Sequence, residues 1–141
     1  MRVVLDTNVV ASAMLWGGKP LLLLRAAHEK RVTLFTSTAM LAELTDVLGR
    51  QKFKRKIAAS KLSVDELVDR YTDLTAVVRP SHASGIAPDP DDDVVIATAL
   101  AAQAALIVTG DKPLLSVIEH QGVHIVGVSE ALQKIYAASK P

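Results

Sequence analysis

Asp89-Pro90-Asp91-Asp92-Asp93-Val94-Val95-Ile96-Ala97-Thr98-Ala99-Leu100-Ala101-Ala102 leads, through Gln103-Ala104-Ala105, into Leu106-Ile107-Val108-Thr109-Gly110-Asp111. The first stretch opens with four carboxylates in five residues and continues as the longest apolar run of the chain. A helix over residues 91–105 would be apolar nearly all round, which places it in the interior or at a subunit interface. Residues 106–109 read as a buried strand that ends at Gly-Asp. A buried helix feeding a buried strand is the unit of α/β folds, in which helices cover a mostly parallel sheet on both faces.

The pattern extends in both directions. Residues 2–6 read as a first strand, a β-branched apolar run ending in Asp6. Thr7-Asn8 opens a helix over 9–15, Trp16-Gly17-Gly18-Lys19-Pro20 turns the chain, and Pro20 sits in the first turn of a helix reaching residue 30. Residues 32–36 are the second strand. Ser37 or Thr38 caps a helix whose apolar positions, Met40, Leu41, Leu44, Val47 and Leu48, keep helical spacing up to Gly49. Ser63-Val64-Asp65-Glu66 is a capping-box pattern opening a helix over 63–76. Residues 75–79 give a third strand, and a polar loop follows through Ser81, His82, Ser84 and Gly85. After the fourth strand come a short helix over 112–119, a fifth strand over 123–126 and a closing helix over 129–138. The expectation is one α/β domain over residues 1–141, with a mostly parallel five-stranded sheet.

Composition narrows the chemistry. Half of the 141 residues are apolar, only 4% are aromatic, and cysteine is absent. The core is therefore built from Ala, Val, Leu and Ile, and thiol catalysis, disulfide frameworks and cysteine-ligated zinc are excluded. The most apolar window, 94–108, is shorter than the roughly 20 residues a membrane span needs. Asp6 comes too early for the N-terminus to be a signal-peptide core. A soluble, cytoplasmic protein with no membrane partner is expected. The net charge is only +1, yet Arg50, Lys52, Lys54, Arg55, Lys56 and Lys61 stand in a stretch without an acid, and residues 80–111 hold five Asp and no Lys or Arg. An acidic centre beside a basic flank suits a phosphodiester substrate, with metal at the scissile bond and cations along the backbone. The plainer reading of the basic run is a solvated helix face.

In open parallel sheets, ligands sit beyond the carboxyl ends of the strands, where connections diverge to opposite faces. Asp6 and Asp111 each follow such an end, Asp93 heads a helix that starts from the same edge, and Glu43 borders an apolar helix stripe. These four converge only if strands one and four are neighbours. Each acid also has an ordinary reading: Asp91 and Asp92 as helix caps, Asp6 as the N-cap of the helix at Thr7, Glu43 as a surface residue, and Asp111 as a turn residue. As a set they suit Mg²⁺ or Mn²⁺, hard ions that take oxygen ligands. One ion lowers the pKa of a water to make a nucleophile, and a second stabilises the leaving oxygen. Phosphate-binding glycine loops, nucleophile elbows and His-Glu-x-x-His are missing, and His28, His82, His120 and His124 read as surface or loop residues. Trp16 reads as a packing or partner-contact residue.

Val3-Val4-Leu5-Asp6-Thr7-Asn8-Val9-Val10, Ala42-Glu43-Leu44, Asp89 to Ala97 and Ile107-Val108-Thr109-Gly110-Asp111, in this order, resemble the PIN-domain family. The style is similar to VapC-like toxins of prokaryotic toxin–antitoxin systems, with a Gly-Gly first loop and Arg50-Gln51-Lys52-Phe53. The resemblance implies a metal-dependent ribonuclease, often dimeric, held inactive by a cognate antitoxin. It implies Asp6, Glu43, Asp93 and Asp111 as metal-binding and catalytic acids, supported by Asn8 and Thr109, with Asp92 assisting. Many relatives carry an acid or polar residue after the last Asp, where this chain has Pro113-Leu114. The leading expectation is an endoribonuclease whose Arg50, Lys52, Lys54 and Arg55 hold RNA. Two alternatives stand beside it: a receiver-like Mg²⁺-binding phospho-acceptor module, which leaves Glu43 unexplained, and a PIN fold kept as a non-catalytic binding protein.

Overall fold

The computed structural model describes residues 1–81 and 85–138, so His82 and Ser84 of the expected polar loop lie outside the described residues. The chain order is β1 (Arg2–Leu5), α1 (Thr7–Leu15), α2 (Gly18–His28), β2 (Thr33–Thr36), α3 (Thr38–Leu48), α4 (Lys54–Ser60), α5 (Val64–Asp73) and β3 (Thr75–Val77). Then follow α6 (Asp93–Ala102), β4 (Leu106–Val108), α7 (Lys112–Leu115), β5 (Glu119–His120), β6 (Val123–Val126) and α8 (Val128–Ala138). Short 3₁₀ turns at Gln51–Phe53 and Pro90–Asp92 precede α4 and α6.

Among the described residues the sheet has six strands, ordered β3-β2-β1-β4-β6-β5, not the five expected. The extra strand, β5, runs antiparallel to its neighbour. The predicted helix over 112–119 stops at Leu115, and left-handed backbone at Ile118 and Gln121 folds the next residues back against β6. The other four pairings are parallel. β1 is central, with β2 on one side and β4 on the other. Connections from β1 lead outward one way and those from β4 the other, which makes the β1/β4 edge the switch point of the sheet, the place where ligands of open parallel sheets sit.

Side chains alternate across the sheet as a two-residue period requires. Val3 and Leu5 of β1, Leu34 of β2, and Leu106 and Val108 of β4 pack with α1, α2, α3, α5 and α8. Val4, Phe35 and Ile107 point the other way, onto Val95, Ile96, Ala99 and Ala102 of α6. One face is thus covered by five helices and the other chiefly by α6. That explains why α6 is apolar all round: its inner side meets the sheet, and Val78, Ile86 and Ala87 of the preceding wrap cover part of the rest. Its one buried hydroxyl, Thr98, donates to the Ser37 hydroxyl at 2.9 Å.

Local signals explain the boundaries. Ser37 accepts the Met40 N–H, and Ser63 and Glu66 form the reciprocal capping box. Gly17 and Gly18 both have positive φ, a conformation that suits glycine in the tight turn between α1 and α2. The basic segment, for which the pattern predicts no element, forms the first 3₁₀ turn and α4, with Phe53 and Ile57 leaning on the core. Among the described residues no single helix is long and apolar enough to cross a membrane.

Candidate functional site

Asp6 follows the central strand and caps α1. Its Oδ1 accepts the Thr7 N–H at 2.8 Å, and its Oδ2 accepts the Thr109 hydroxyl at 2.7 Å. The Thr109 Oγ1 also accepts the Asp111 N–H at 3.0 Å, so one fully buried threonine beyond β4 ties both acids together. Asp111 in turn caps α7, its Oδ2 accepting the Leu114 N–H at 3.1 Å. Both acids therefore do perform the ordinary capping duty that their positions suggest, and each is held in a fixed orientation by it. Burial pushes the Asp6 carboxyl above its usual range, the Thr109 and Thr7 hydrogen bonds oppose this, and the charge of Asp111 adds to it.

The two acids at the head of α6 diverge. Asp92 occupies the N-cap position yet makes no capping bond. Its carboxyl is pushed up to about 7, first by burial, then by a hydrogen bond shared with Asp111 and by the charges of Asp111, Asp6 and Asp89. Asp93 turns elsewhere: Oδ2 accepts the Gly85 N–H at 2.9 Å, and Oδ1 accepts those of Ile86 and Ala87 at 3.2 and 2.9 Å. The Ala87 bond, against the opposing effect of burial, and the other two amides hold this carboxyl below its usual range. The resemblance groups Asp93 with Asp6 and Asp111 as metal-binding acids; here both oxygens of Asp93 accept amides of residues 85–87. The reason is local. Asp89 accepts the Asp91 N–H at 3.0 Å and starts a 3₁₀ turn at Pro90, so α6 begins only at Asp93.

Glu43, on α3, remains open to solvent. Partial burial and then the Asp6 charge push its carboxyl up, the Thr7 hydroxyl lowers it, Asp91 raises it and Arg50 lowers it. The Thr7 hydroxyl is buried and makes no hydrogen bond of standard geometry among the described residues, so it answers to Glu43 only loosely. Asn8 is exposed on the first turn of α1. Asp6, Asp92 and Asp111 thus sense one another at the β1/β4 edge, with Glu43 at the margin, but among the described residues no three carboxylates form a ready metal cage. By its sequence Thr7 reads only as a helix opener; its place one residue after a strand-ending acid is the available signal for its part here.

Arg50, Lys52, Lys54 and Arg55 are all exposed, on the 3₁₀ turn and the start of α4. They do not join the acids; only Arg50 is near enough to act on Glu43. Beside them Trp16 is 56% exposed and meets Phe53 edge-on at 5.5 Å, with the Lys56 ammonium 5.4 Å from the Trp16 ring.

These features define a three-layer α/β domain with acids gathered at the switch point of its parallel sheet. Residues 2–113 match the PIN domain family, and the chain belongs to that family. Its fold is similar to the crystal structure of VapBC2 from Rickettsia felis bound to a DNA fragment from their promoter, at 17% identity over 90% of this chain and 98% of that one, TM-score 0.63. It is also similar to VapBC-1 from nontypeable Haemophilus influenzae, at 19% identity over 92% and 99% of the two chains, TM-score 0.55. No curated protein sequence matches it. Membership of the PIN family removes the receiver-like alternative.

Proposed function

We propose that this PIN domain is a Mg²⁺- or Mn²⁺-dependent endoribonuclease, the toxin of a prokaryotic toxin–antitoxin pair. The observation that carries the reading is the pairing of Asp6 and Asp111 at the ends of neighbouring β1 and β4 through the one Thr109 hydroxyl, in a chain of the PIN family. Carboxylates held together this way fit a hard divalent cation, which takes oxygen donors and relieves their mutual repulsion. Asp6, Asp92 and Asp111 would hold it, with Glu43 and Asn8 at the rim; when bound it supplies charge neutralisation and a water of lowered pKa.

The chain's own residues supply the rest. Thr109 and the Thr7 amide fix the Asp6 carboxylate through bonds to both oxygens. Exposed Arg50, Lys52, Lys54 and Arg55 attract the phosphates of an RNA strand and hold it by charge, without reading its bases. A cognate antitoxin is the partner, supported by the likeness to chains of two VapBC structures. A homodimer in the cytoplasm completes the proposal.

The test is cleavage of end-labelled single-stranded RNA by the purified wild type with Mg²⁺, Mn²⁺ or EDTA. Cleavage that requires the ion and stops with EDTA supports the reading. A protein that binds RNA but does not cut it with either ion is the non-catalytic PIN fold instead.

A further inference from the structure

We infer that the exposed Trp16 ring, set against Phe53 with lysines beside both rings, stacks an unpaired base of the RNA strand that Lys52, Lys54 and Arg55 hold by its phosphates. This rests on the RNA reading proposed above and adds to it the place of a base.

Trp16 is the only tryptophan of the chain, and at 56% exposure its ring is not spent on the core. Its backbone is fixed, since the Trp16 N–H donates to the Ser12 carbonyl at 2.9 Å as α1 ends. Toward α4 its neighbours are aromatic and positive. Phe53 meets it at 77° with ring centroids 5.5 Å apart, the Lys56 ammonium lies 5.4 Å from its ring, and the Lys52 ammonium lies 4.9 Å from the Phe53 ring. Residues 50–61, which carry these cations, contain no acid. On its other side an apolar groove of about 500 Å³ is bordered by Leu67, Arg70 and Leu74 at α5, and Asp65, Asp69 and Asp73 fall outside that face of the helix. Cations around an open π-face are the pairing that single-strand sites use: the charges take the phosphates and the ring takes a base, whichever base it is. Asp6 is the N-cap of α1 and Trp16 its C-cap, so about 15 Å of helix separates the acid edge from the ring. A strand held at that edge reaches the ring within the few nucleotides such a site covers. A duplex keeps its bases stacked on one another and offers the ring no face.

As the only tryptophan, Trp16 reports on itself. The purified wild type in EDTA is titrated with a dye-labelled, unstructured single-stranded RNA, and with the same RNA annealed to its complement. The expected result is a loss of tryptophan fluorescence that saturates together with the anisotropy of the single strand, while the duplex binds the cations without quenching. Trp16→Leu lowers the affinity for the single strand about five- to a hundredfold, as loss of one stacked base does, and Trp16→Phe, which keeps a π-face, retains most of it. Neither variant removes a charge, so the slope of log affinity against log salt stays that of the wild type. Fluorescence that stays constant while the strand binds, or equal affinity in wild type and Trp16→Leu, overturns the inference alone and leaves the ring and the groove beside it to a protein partner. A wild type that binds no RNA overturns the ribonuclease reading, and this inference with it.

Discussion

Thr109 carries more of the site than its size suggests, because its hydroxyl donates to Asp6 and accepts from the Asp111 amide. Thr109→Val keeps the shape and deletes both bonds; we expect kcat to fall roughly ten- to a hundredfold with little change in KM for RNA, measured at saturating Mn²⁺. A second prediction concerns Tyr71, which is 3% exposed and has a hydroxyl without a hydrogen-bond partner among the described residues. Burial raises its pKa above the ordinary 10.0. Below that value both folded and unfolded chains keep the proton. Above it only the unfolded chain releases it, so stability falls as pH rises past about 10. Tyr71→Phe should lose this part of the alkaline slope in pH-dependent urea melts, and at pH 7 should lie within about 1 kcal/mol of the wild type. That Asp6 and Asp111 lie at one edge was legible in the sequence because strands end abruptly and their terminal acids have one edge to occupy. The hydrogen bonds of Asp93 were not, since they depend on the Asp89 cap and on a loop distant from any pattern.

α6 is the element on which both the second core layer and the acid turn depend. Ile96 is fully buried between the sheet and the wrap. Ile96→Ala should cost about 2–5 kcal/mol, while Ser63→Ala, which breaks the capping box of α5, should cost about 1 kcal/mol. Urea denaturation midpoints at constant m-value check both. The apolar circumference of α6 and the Ser63–Glu66 pair could be read directly because each is a local pattern with its own physical cause. By contrast, β5 has two residues and thus no period, and α4 presents only Ile57 to the core as its apolar anchor. Neither gives a sequence pattern enough length to declare itself.

Across the molecule, the sheet order sets the acid edge and the turn after α3 sets the basic flank. That β1 and β4 are neighbours was a condition for the site that no local pattern could supply; it follows from how the helices pack, and the parallel pairing of Val4 with Ile107 meets it. The flank predicts a separable effect. Replacing Lys52, Lys54 and Arg55 together by Ala should raise KM for RNA and leave kcat near the wild-type value. The slope of log KM against log salt should flatten by about 0.7 for each phosphate that is no longer neutralised. A fall in kcat with unchanged KM would mean that these residues do not hold the strand.

The most direct test of the central claim compares wild type, Asp6→Asn and Asp92→Asn, purified identically, for cleavage of end-labelled single-stranded RNA with Mn²⁺ and with EDTA. The account predicts cleavage by the wild type in Mn²⁺ alone, and a loss of at least about a hundredfold in both variants with their melting temperatures preserved. Cleavage that persists in both variants would contradict it.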